Sequence, residues 1–384
     1  MKKKTIYMMM VLSIFPWMLS HAENKNSLNG QNLAEAKRFD NGQNYKVEKL
    51  ALFQEPWALA ELEDGRLLIT ERKGNLKLFN PLTKQITKIG LALPKLAYGG
   101  QGGLGDITLH PDFKRNHWIY LSYAESVQGG SGAVVVRGEL DLSQPQPRVK
   151  KLIRIWEQVP KIDGQGHYSH RMLFDQDHKL WISSGERQQF TPAQDLNTNL
   201  GKIIRLNEDG TPAIGNPFAT QGGIAKQIWS YGHRNPLGIA FDAKGTLWEV
   251  EMGPKGGDEL NIIQKAKNYG YPIVSNGDHY DGKPIPDHDT HPELQAPEIS
   301  WTPVISPSSL IIYHGASFPF WQNKALIGGL SSEAIIVVDI EQRPVQEVQR
   351  LELKKRIRDL HLSRNGTIWG LEDGENANLF RLIP

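Results

Sequence analysis

Apolar and polar residues alternate in short runs along most of this chain, and the runs end at Gly, Asn, Asp or Pro. A period of two puts successive side chains on opposite faces and predicts half-buried β-strands. The 3.6-residue apolar spacing of amphipathic helices is scarce. One unit recurs: a turn of Asp, Asn, Lys and Gly, then a strand with aliphatic or aromatic residues at alternate positions. It is seen in LEDGRLLIT (62–70), HPDFKRNHWIYLSYA (110–124) and FDQDHKLWISSGE (174–186). It returns in FDAKGTLWEVEMG (241–253), FWQNKALIGGL (320–330) and LSRNGTIWGLEDG (362–374). The turn Gly or Asn supplies the positive φ of a hairpin, so each unit predicts two antiparallel strands.

Six such units, unevenly spaced but averaging roughly 60 residues, fit propeller blades with long loops. A four-stranded sheet cannot bury its own face, and radial stacking of six sheets solves that problem. The predicted fold is all-β, a six-bladed β-propeller of four-stranded antiparallel sheets, forming a single domain over 41–384. A large β-sandwich or two small all-β domains would share the strand pattern. No Gly/Ser/Pro-rich linker divides the chain, which weighs against two domains.

The first residues bear on compartment. Lys2, Lys3 and Lys4 precede an apolar stretch and the small-residue end Ser20-His21-Ala22, the pattern of a secretory signal peptide over 1–22. Residues 23–40 are polar and predict a loose N-terminal arm. Beyond residue 22 no apolar stretch is long enough to span a bilayer, so the mature chain is expected to be periplasmic with no membrane span. Without its first 22 residues the chain carries 41 basic against 42 acidic residues, a formal charge of −1. That balance gives no basic footprint for nucleic acid or for a membrane surface. Cysteine is absent, so stability rests on a core that a chain of this length can bury.

Fold alone assigns no activity, and the loops carry the chemistry. Gly100-Gln101-Gly102-Gly103-Leu104-Gly105 satisfies G-x-G-x-x-G, yet an alternating strand and not a helix follows it, against a dinucleotide site. A plain Gly-rich blade connection fits equally well, as does a backbone that approaches a ligand closely beside Gln101. In GHYSHRMLFDQDHKLWISSGER (166–187), His167 and His170 sit in the loop entering a strand, and Glu186 and Arg187 stand at the far end of the hairpin. A carboxylate meeting an imidazole across that hairpin would fix its tautomer and raise its basicity, as a general base requires. A solvated loop histidine is the plainer alternative.

In WSYGHRNPLGIAFD (229–242), Gly232 permits a turn and Pro236 extends Asn235, so Arg234 is presented on a rigid loop suited to an anion. An arginine tied to blade carbonyls is the other reading. EVEMGPKGGDELN (249–261) offers backbone carbonyls at Gly253-Pro254 with acids at Asp258 and Glu259, donors suited to calcium though without EF-hand spacing. GDHYDGKPIPDHDTH (277–291) reads as a solvated insertion. Arg356 and Arg358 share one strand face, which is costly unless an anion, an acid or water lies between them. No G-x-S-x-G elbow is present.

Together GQGGLGDITLHPDF, YGHRNPLGIAFD and GPKGGDELNIIQKAKNYGYP resemble the soluble periplasmic aldose sugar dehydrogenases that use pyrroloquinoline quinone (PQQ), and the resemblance runs through most of the mature chain. It implies a six-bladed propeller carrying PQQ and Ca2+ over the channel and oxidising aldoses to aldonolactones. By motif position His167 would be the base, Glu186 its partner, and Arg234 the stabiliser of developing negative charge. Gln101, Arg234, Asn235, Arg356 and Arg358 would hold PQQ. The carbonyls of Gly253 and Pro254 would bind the cofactor's calcium, and Glu259 with the carbonyl of Tyr269 a second one. The partners implied are an aldose sugar and an electron acceptor that the sequence does not name, with a monomer or homodimer as the assembly.

Three departures stand out. Ser331 and Ser332 occupy a place where a cofactor-pairing lysine is usual, and Glu251-Met252-Gly253-Pro254 varies the usual E-H-G-P calcium loop. His170 replaces a small residue before Arg171. The competing readings are a binding propeller that has lost PQQ and a calcium-dependent lactonase or esterase propeller.

Overall fold

The computed structural model describes residues 35–38 and 44–384. The expected signal peptide lies outside the described residues, and the expected arm lies outside them apart from 35–38. Nearly all regular structure is antiparallel sheet. Blade 1 runs Pro56–Glu61, Leu67–Glu71, Asn75–Phe79 and Ile86–Ile89, and blade 2 runs Leu104–Leu109, Trp118–Val127, Gly130–Asp141 and Arg148–Glu157. Blade 3 is Ser169–Phe174, Leu180–Ser184, Lys202–Leu206 and Ile228–Tyr231; blade 4 is Pro236–Phe241, Leu247–Glu251, Asp258–Ile262 and Ile299–Trp301. Blade 5 comprises Pro307–Ile312, Ala325–Gly329, Ala334–Asp339 and Gln346–Glu352. Blade 6 takes Ile357–Leu362, Ile368–Glu372 and Ala377–Ile383 from the end of the chain and Asn44–Phe53 from near its start. Pairing these two parts of the chain in one sheet closes the ring of blades. Glu35–Arg38, inside the stretch expected to be a loose arm, pairs as a further strand with Asn44–Phe53.

Each repeated unit proves to be the hairpin joining a blade's innermost strand to its second strand. The turn chemistry is visible at Asp175, whose carboxylate accepts from the backbone of Asp177 and Lys179 and from the Trp181 indole at 2.8 Å. Asp242 repeats the arrangement with Lys244, Thr246 and the Trp248 indole. In blade 6 Ser363 stands where the acid would be, and the buried Trp369 indole nitrogen has no partner. Core clusters fill the gaps between neighbouring blades: Trp57, Leu104, Tyr123 and Val134 between blades 1 and 2, and Trp248, Leu310, Ile327 and Ile336 between blades 4 and 5. Each such side chain contributes about 1.5–3 kcal/mol by leaving water.

Two features position the site. All six innermost strands carry a register shift against their neighbour near their first residues: Pro56/Ala58, Leu104/Ile107, Ser169/Met172, Pro236/Gly238, Pro307/Ser309 and Ile357/Asp359. Such bulges bend a strand and re-aim its side chains, so the mouth of the channel is irregular all the way round. Below them Arg171 spans the axis. Its guanidinium donates to Leu237 O, Ser308 O and Arg358 O, pairs with Asp106 and Asp359, and lies 4.0 Å over the Trp57 ring. One side chain thereby touches a residue of every other blade. Beyond it a channel cavity of about 370 Å3 continues between the innermost strands.

Candidate active site at the channel mouth

The loop entering blade 3 and the loop leaving its second strand are held in conformations that side chains rarely adopt. His167, Ser169, His170, Arg187, Gln188 and Phe190 all have φ between 48° and 64°. Clustered positive-φ residues persist only where surrounding contacts over-determine them, and they concentrate at functional sites. Here the contacts come from Arg187, which donates to Gly166 O, Ser131 O and Gly164 O and lies over the Tyr168 ring at 3.7 Å. Sequence reading singled out Arg187 only as a neighbour of Glu186; its work is to fix the loop that carries His167.

His167 Nδ1 bonds directly to Glu186 Oε1. The other carboxylate oxygen accepts the Phe190 N–H at 2.7 Å, and the Glu186 N–H donates to Arg234 O at 2.9 Å. The Gln101 side chain accepts the His167 backbone N–H at 2.7 Å, so the Gly-rich loop does approach the histidine. Burial pushes the His167 imidazole below its ordinary value, with Glu186 opposing and Arg234 adding to the fall. Burial would raise Glu186, but the His167 contact, the Phe190 N–H and Arg234 hold it below the usual range. The pair is therefore a neutral imidazole donating through Nδ1 to an ionised carboxylate, which leaves Nε2 with a lone pair. That is the state of a general base at rest.

Arg234 is anchored from below. Its backbone N–H donates to Glu251, and its Nη1 donates to Met252 O at 2.9 Å and to Gly253 O at 2.6 Å. Its Nε is buried without a partner. Asn235 accepts from Ser169 Oγ at 2.9 Å. The structure thus brings His167, Glu186, Gln101, Arg234 and Asn235 into one hydrogen-bonded neighbourhood. Gln101, Ser169 and His170 also line a cavity of about 390 Å3 with Trp57, Arg72, Met252, Arg356, Arg358 and Asp373.

The acid required between the two arginines is Asp373, bonded at 2.8 Å to each. Neither it nor Arg72, which pairs with Glu55 at 3.1 Å, was read from the sequence. Asp373 lies across the blade 6 hairpin from the arginines, 15 and 17 residues on, and the sequence reading asked for an acid between them without naming it. Ser331, where a lysine is expected, bonds to Val304 O and Ser306 Oγ at the rim. His170 stacks on Trp57 at 5.1 Å and bonds to Ser122 Oγ; burial pushes it down to about 3, so it is a neutral wall. A Cβ at Gly105 would collide with its ring.

The expected metal ligands fall into two places. Gly253 O faces Arg234, with Pro254 buried beside it. Glu259 belongs to a separate buried cluster with Glu249, Glu251 and Asn261, whose amide donates toward all three carboxylates at 3.1–3.4 Å. His233 completes it, 3.1 Å from Glu251 and stacked at 4.5 Å on Tyr269. The carbonyl of Tyr269 meets His288, which also lies 4.0 Å from Glu259. His288 is buried, so the segment read as a solvated insertion takes part in the interior. Burial and the neighbouring Glu251 push both Glu249 and Glu259 well above the ordinary carboxylate value. Among the described residues, His233, Glu249 and Glu251 form the group whose donor atoms lie within 4.8 Å of one another.

Fold and pocket together describe a six-bladed propeller with a buried polar cluster and a cavity at one mouth of the channel. The chain belongs to the Glucose / Sorbosone dehydrogenase family, whose model matches residues 53–381. It is 36% identical over 335 residues to the aldose sugar dehydrogenase YliI of Escherichia coli K12, covering 86% of this chain and 90% of that protein. The apo-form crystal structure of the soluble aldose sugar dehydrogenase of Escherichia coli superposes with a TM-score of 0.82 at 35% identity, covering 88% of this chain and 99% of that one. The PQQ-bound aldose sugar dehydrogenase of Streptomyces coelicolor superposes at 0.72 and 26% identity, over 91% and 99% of the two chains.

Proposed function

We propose that this enzyme oxidises aldose sugars at C1 to aldonolactones, with His167 Nε2 taking the proton of the anomeric hydroxyl. The observation that carries this reading is the His167–Glu186 pair at the channel mouth, a buried neutral imidazole locked in one tautomer beside Arg234. As the hydroxyl loses its proton, Glu186 stabilises the imidazolium and Arg234 the developing negative charge on oxygen. Gln101 and Asn235 hold the His167 backbone and the Ser169 side chain in place.

The cavity suits PQQ. Trp57, Leu237 and Leu330 give it apolar walls, and Arg72, Arg356 and Arg358 outnumber Glu55 and Asp373 by one charge, as an anionic guest requires. The partnerless Arg234 Nε is a further donor. Gln101, Asn235, Arg356 and Arg358 would hold the cofactor. When bound, PQQ supplies the two-electron acceptor for the C1 hydride. Calcium would use the Gly253 and Pro254 carbonyls near the cofactor, and Glu259 with the Tyr269 carbonyl at the glutamate cluster. The signal-like residues 1–22 support a periplasmic location.

The test is to titrate mature protein with PQQ and calcium, following quinone absorbance, and then to add aldoses with an artificial acceptor. Stoichiometric binding and sugar-dependent reduction are expected, with His167→Ala binding PQQ but losing about 10²–10⁴-fold in turnover. A wild-type chain that binds PQQ and reduces no acceptor with any aldose overturns the reading.

A further inference from the structure

The mechanism leaves one fully buried charge unused. Lys202 opens the third strand of blade 3 and is 0% exposed. Its Nζ donates to Leu200 O at 2.6 Å, Pro192 O at 2.7 Å and Ala193 O at 3.1 Å. All three acceptors are backbone carbonyls, and no carboxylate is among them. An ammonium has three N–H donors and no acceptor, so three carbonyls match the charged form one for one. A neutral amine would keep two donors, and its lone pair would face a carbonyl oxygen. Taking an ammonium out of water is costly. Burial pushes this one down to about 7, with Asp195 of the same loop opposing. Tyr231 stands beside it in register on the outermost strand, and His233 reaches its neighbour Gly201 through the backbone.

The three carbonyls lie where the catalytic pair is supported. Pro192 and Ala193 belong to the short 3-10 turn Thr191–Gln194, which follows directly on Phe190. The Ala193 N–H donates to Phe190 O at 3.1 Å, and the Phe190 N–H is the donor on Glu186 Oε2. Phe190 sits at φ 63°, ψ −83°, a conformation that its surroundings must impose. On the other side Ala193 O accepts the Gly232 N–H at 2.9 Å, and Gly201 O accepts the His233 N–H at 3.2 Å. A Cβ on Gly201 would stand 2.6 Å from His233 O, so the two loops meet without slack. Arg234 follows, and its carbonyl accepts the Glu186 N–H. One ammonium therefore ties the turn that gives Glu186 its donor to the loop that presents Arg234.

We propose that Lys202, in its ammonium form, is a positioning residue for the His167–Glu186 pair. It latches the 191–194 turn and thereby sets the Phe190 donor on Glu186 and the Arg234 loop beside it. The effect on turnover rests on the aldose reading above; the latch itself does not. The turn lines no part of the cavity described for the cofactor, so its release reaches the catalytic pair and leaves the pocket walls in place. A base displaced from its working geometry costs rate more than binding.

Lys202→Met keeps the side-chain length and removes all three donors. In the cofactor-free protein, hydrogen exchange read by mass spectrometry should show the peptide over 188–194 exchanging about tenfold or more faster than in wild type. Peptides from blades 1 and 5 should be unchanged. In the PQQ- and calcium-loaded enzyme with an artificial acceptor, kcat for glucose should fall about 10–100-fold. The PQQ Kd and the sugar KM should stay within about threefold, the split that marks a displaced catalytic group. Lys202→Gln, with two donors, should lie between. Wild type supplies an arm that needs no variant. Its 188–194 protection, corrected for the intrinsic exchange rate, should weaken from about pH 6 to about pH 9 as the ammonium gives up its proton. Unchanged exchange over 188–194 in Lys202→Met overturns the proposal. Faster exchange with kcat unchanged also overturns it, leaving Lys202 an anchor of the loop alone. If Lys202→Met does not fold, wild-type protection that is constant with pH overturns the latch. A wild type that oxidises no aldose overturns the aldose reading, and the exchange measurements still decide the latch.

Discussion

Two buried clusters of charge lie within this propeller, and they are built on opposite principles. At the axis, Arg171 faces Asp106 and Asp359, and every oxygen and nitrogen is used. Asp106 also accepts the Met172 N–H at 2.6 Å, and Asp359 the Leu59 N–H at 2.9 Å. In blade 4, Glu249, Glu251 and Glu259 face a neutral amide and an imidazole, and Glu249 Oε1 and Asn261 Oδ1 are left with no partner. Buried charge is tolerated when it is paired and hydrogen-bonded, and is costly otherwise. The first cluster is complete within the chain and acts as a brace. The second is short of positive charge, and that deficit is a stronger argument for a cation than the presence of acids alone.

The comparison breaks first at Arg171. Arg171→Met would leave two buried aspartates without their counter-charge and five blades without a shared donor, at a cost of about 3–5 kcal/mol. Thermal unfolding should show the largest fall in Tm of any change discussed here. The sign of its pH dependence is fixed. Burial already holds Asp359 up at about 6, against an ordinary value of 3.8, and removing Arg171 pushes it higher. A carboxyl with a raised folded-state value contributes its stability fully below the unfolded value and loses it as pH rises through the folded one. The Tm deficit of Arg171→Met should therefore be larger at pH 8 than at pH 5. A variant within about 2 °C of wild type at pH 8 would show that the brace does not stabilise the ring.

Calcium sharpens the other side. If a cation completes the glutamate cluster, chelation should lower Tm and added calcium restore it. At a hundredfold excess over Kd the gain is about 2.7 kcal/mol, roughly 4 °C at an unfolding entropy of about 2.1 cal/mol/K per residue in a domain of this size. Glu249→Gln separates this from binding elsewhere. It removes one of the crowded carboxylates, so the calcium-free Tm should rise by about 1–3 °C while the gain from calcium shrinks by half or more. Isothermal titration of the cofactor-free protein gives the affinity directly. An unchanged calcium response in Glu249→Gln would move the ion to another site.

How much of this could be read in advance depends on sequence separation. The blade hairpins were legible because turn and strand are contiguous; the Asp–Trp contact shared by the FDxxxxLW units of blades 3 and 4 appeared only in the structure. His167 and Glu186 were legible because one hairpin joins them. The glutamate cluster was legible only in part. Glu259 was singled out and Glu251 was named as the start of the calcium loop, whereas Glu249, two residues before it on the same strand face, was not. The register of Glu249 and Glu251 opposite Asn261 and Glu259 creates the cluster, and register does not appear in a linear string. The brace depends on contacts from Arg171 to five other blades, which no local pattern announces, whereas Asp373, one hairpin from Arg356 and Arg358, was within reach of the same reasoning that found Glu186 and was not named. The signal that was available for blade 4 is the pattern E-V-E followed by E-L-N, acids on the buried face of adjoining strands.

The smallest effect concerns a third cluster, between the other two in character. His167, Glu186 and Arg234 balance one carboxylate against one guanidinium, with the imidazole neutral. In the cofactor-free protein the His167 ring should titrate below 6.5, because burial and Arg234 outweigh Glu186. Proton NMR of the histidine ring signals, assigned by loss of one signal in His167→Gln, measures this directly. Glu186→Gln removes the opposing influence and should move the midpoint lower still, whereas Arg234→Gln should move it up. The stability consequence follows the same sign. A base whose folded-state value lies below its unfolded one costs nothing above pH 6.5, and destabilises the fold as pH falls through that window to the folded value. A wild-type midpoint above 6.5 would mean that Glu186 outweighs burial and Arg234 at the site.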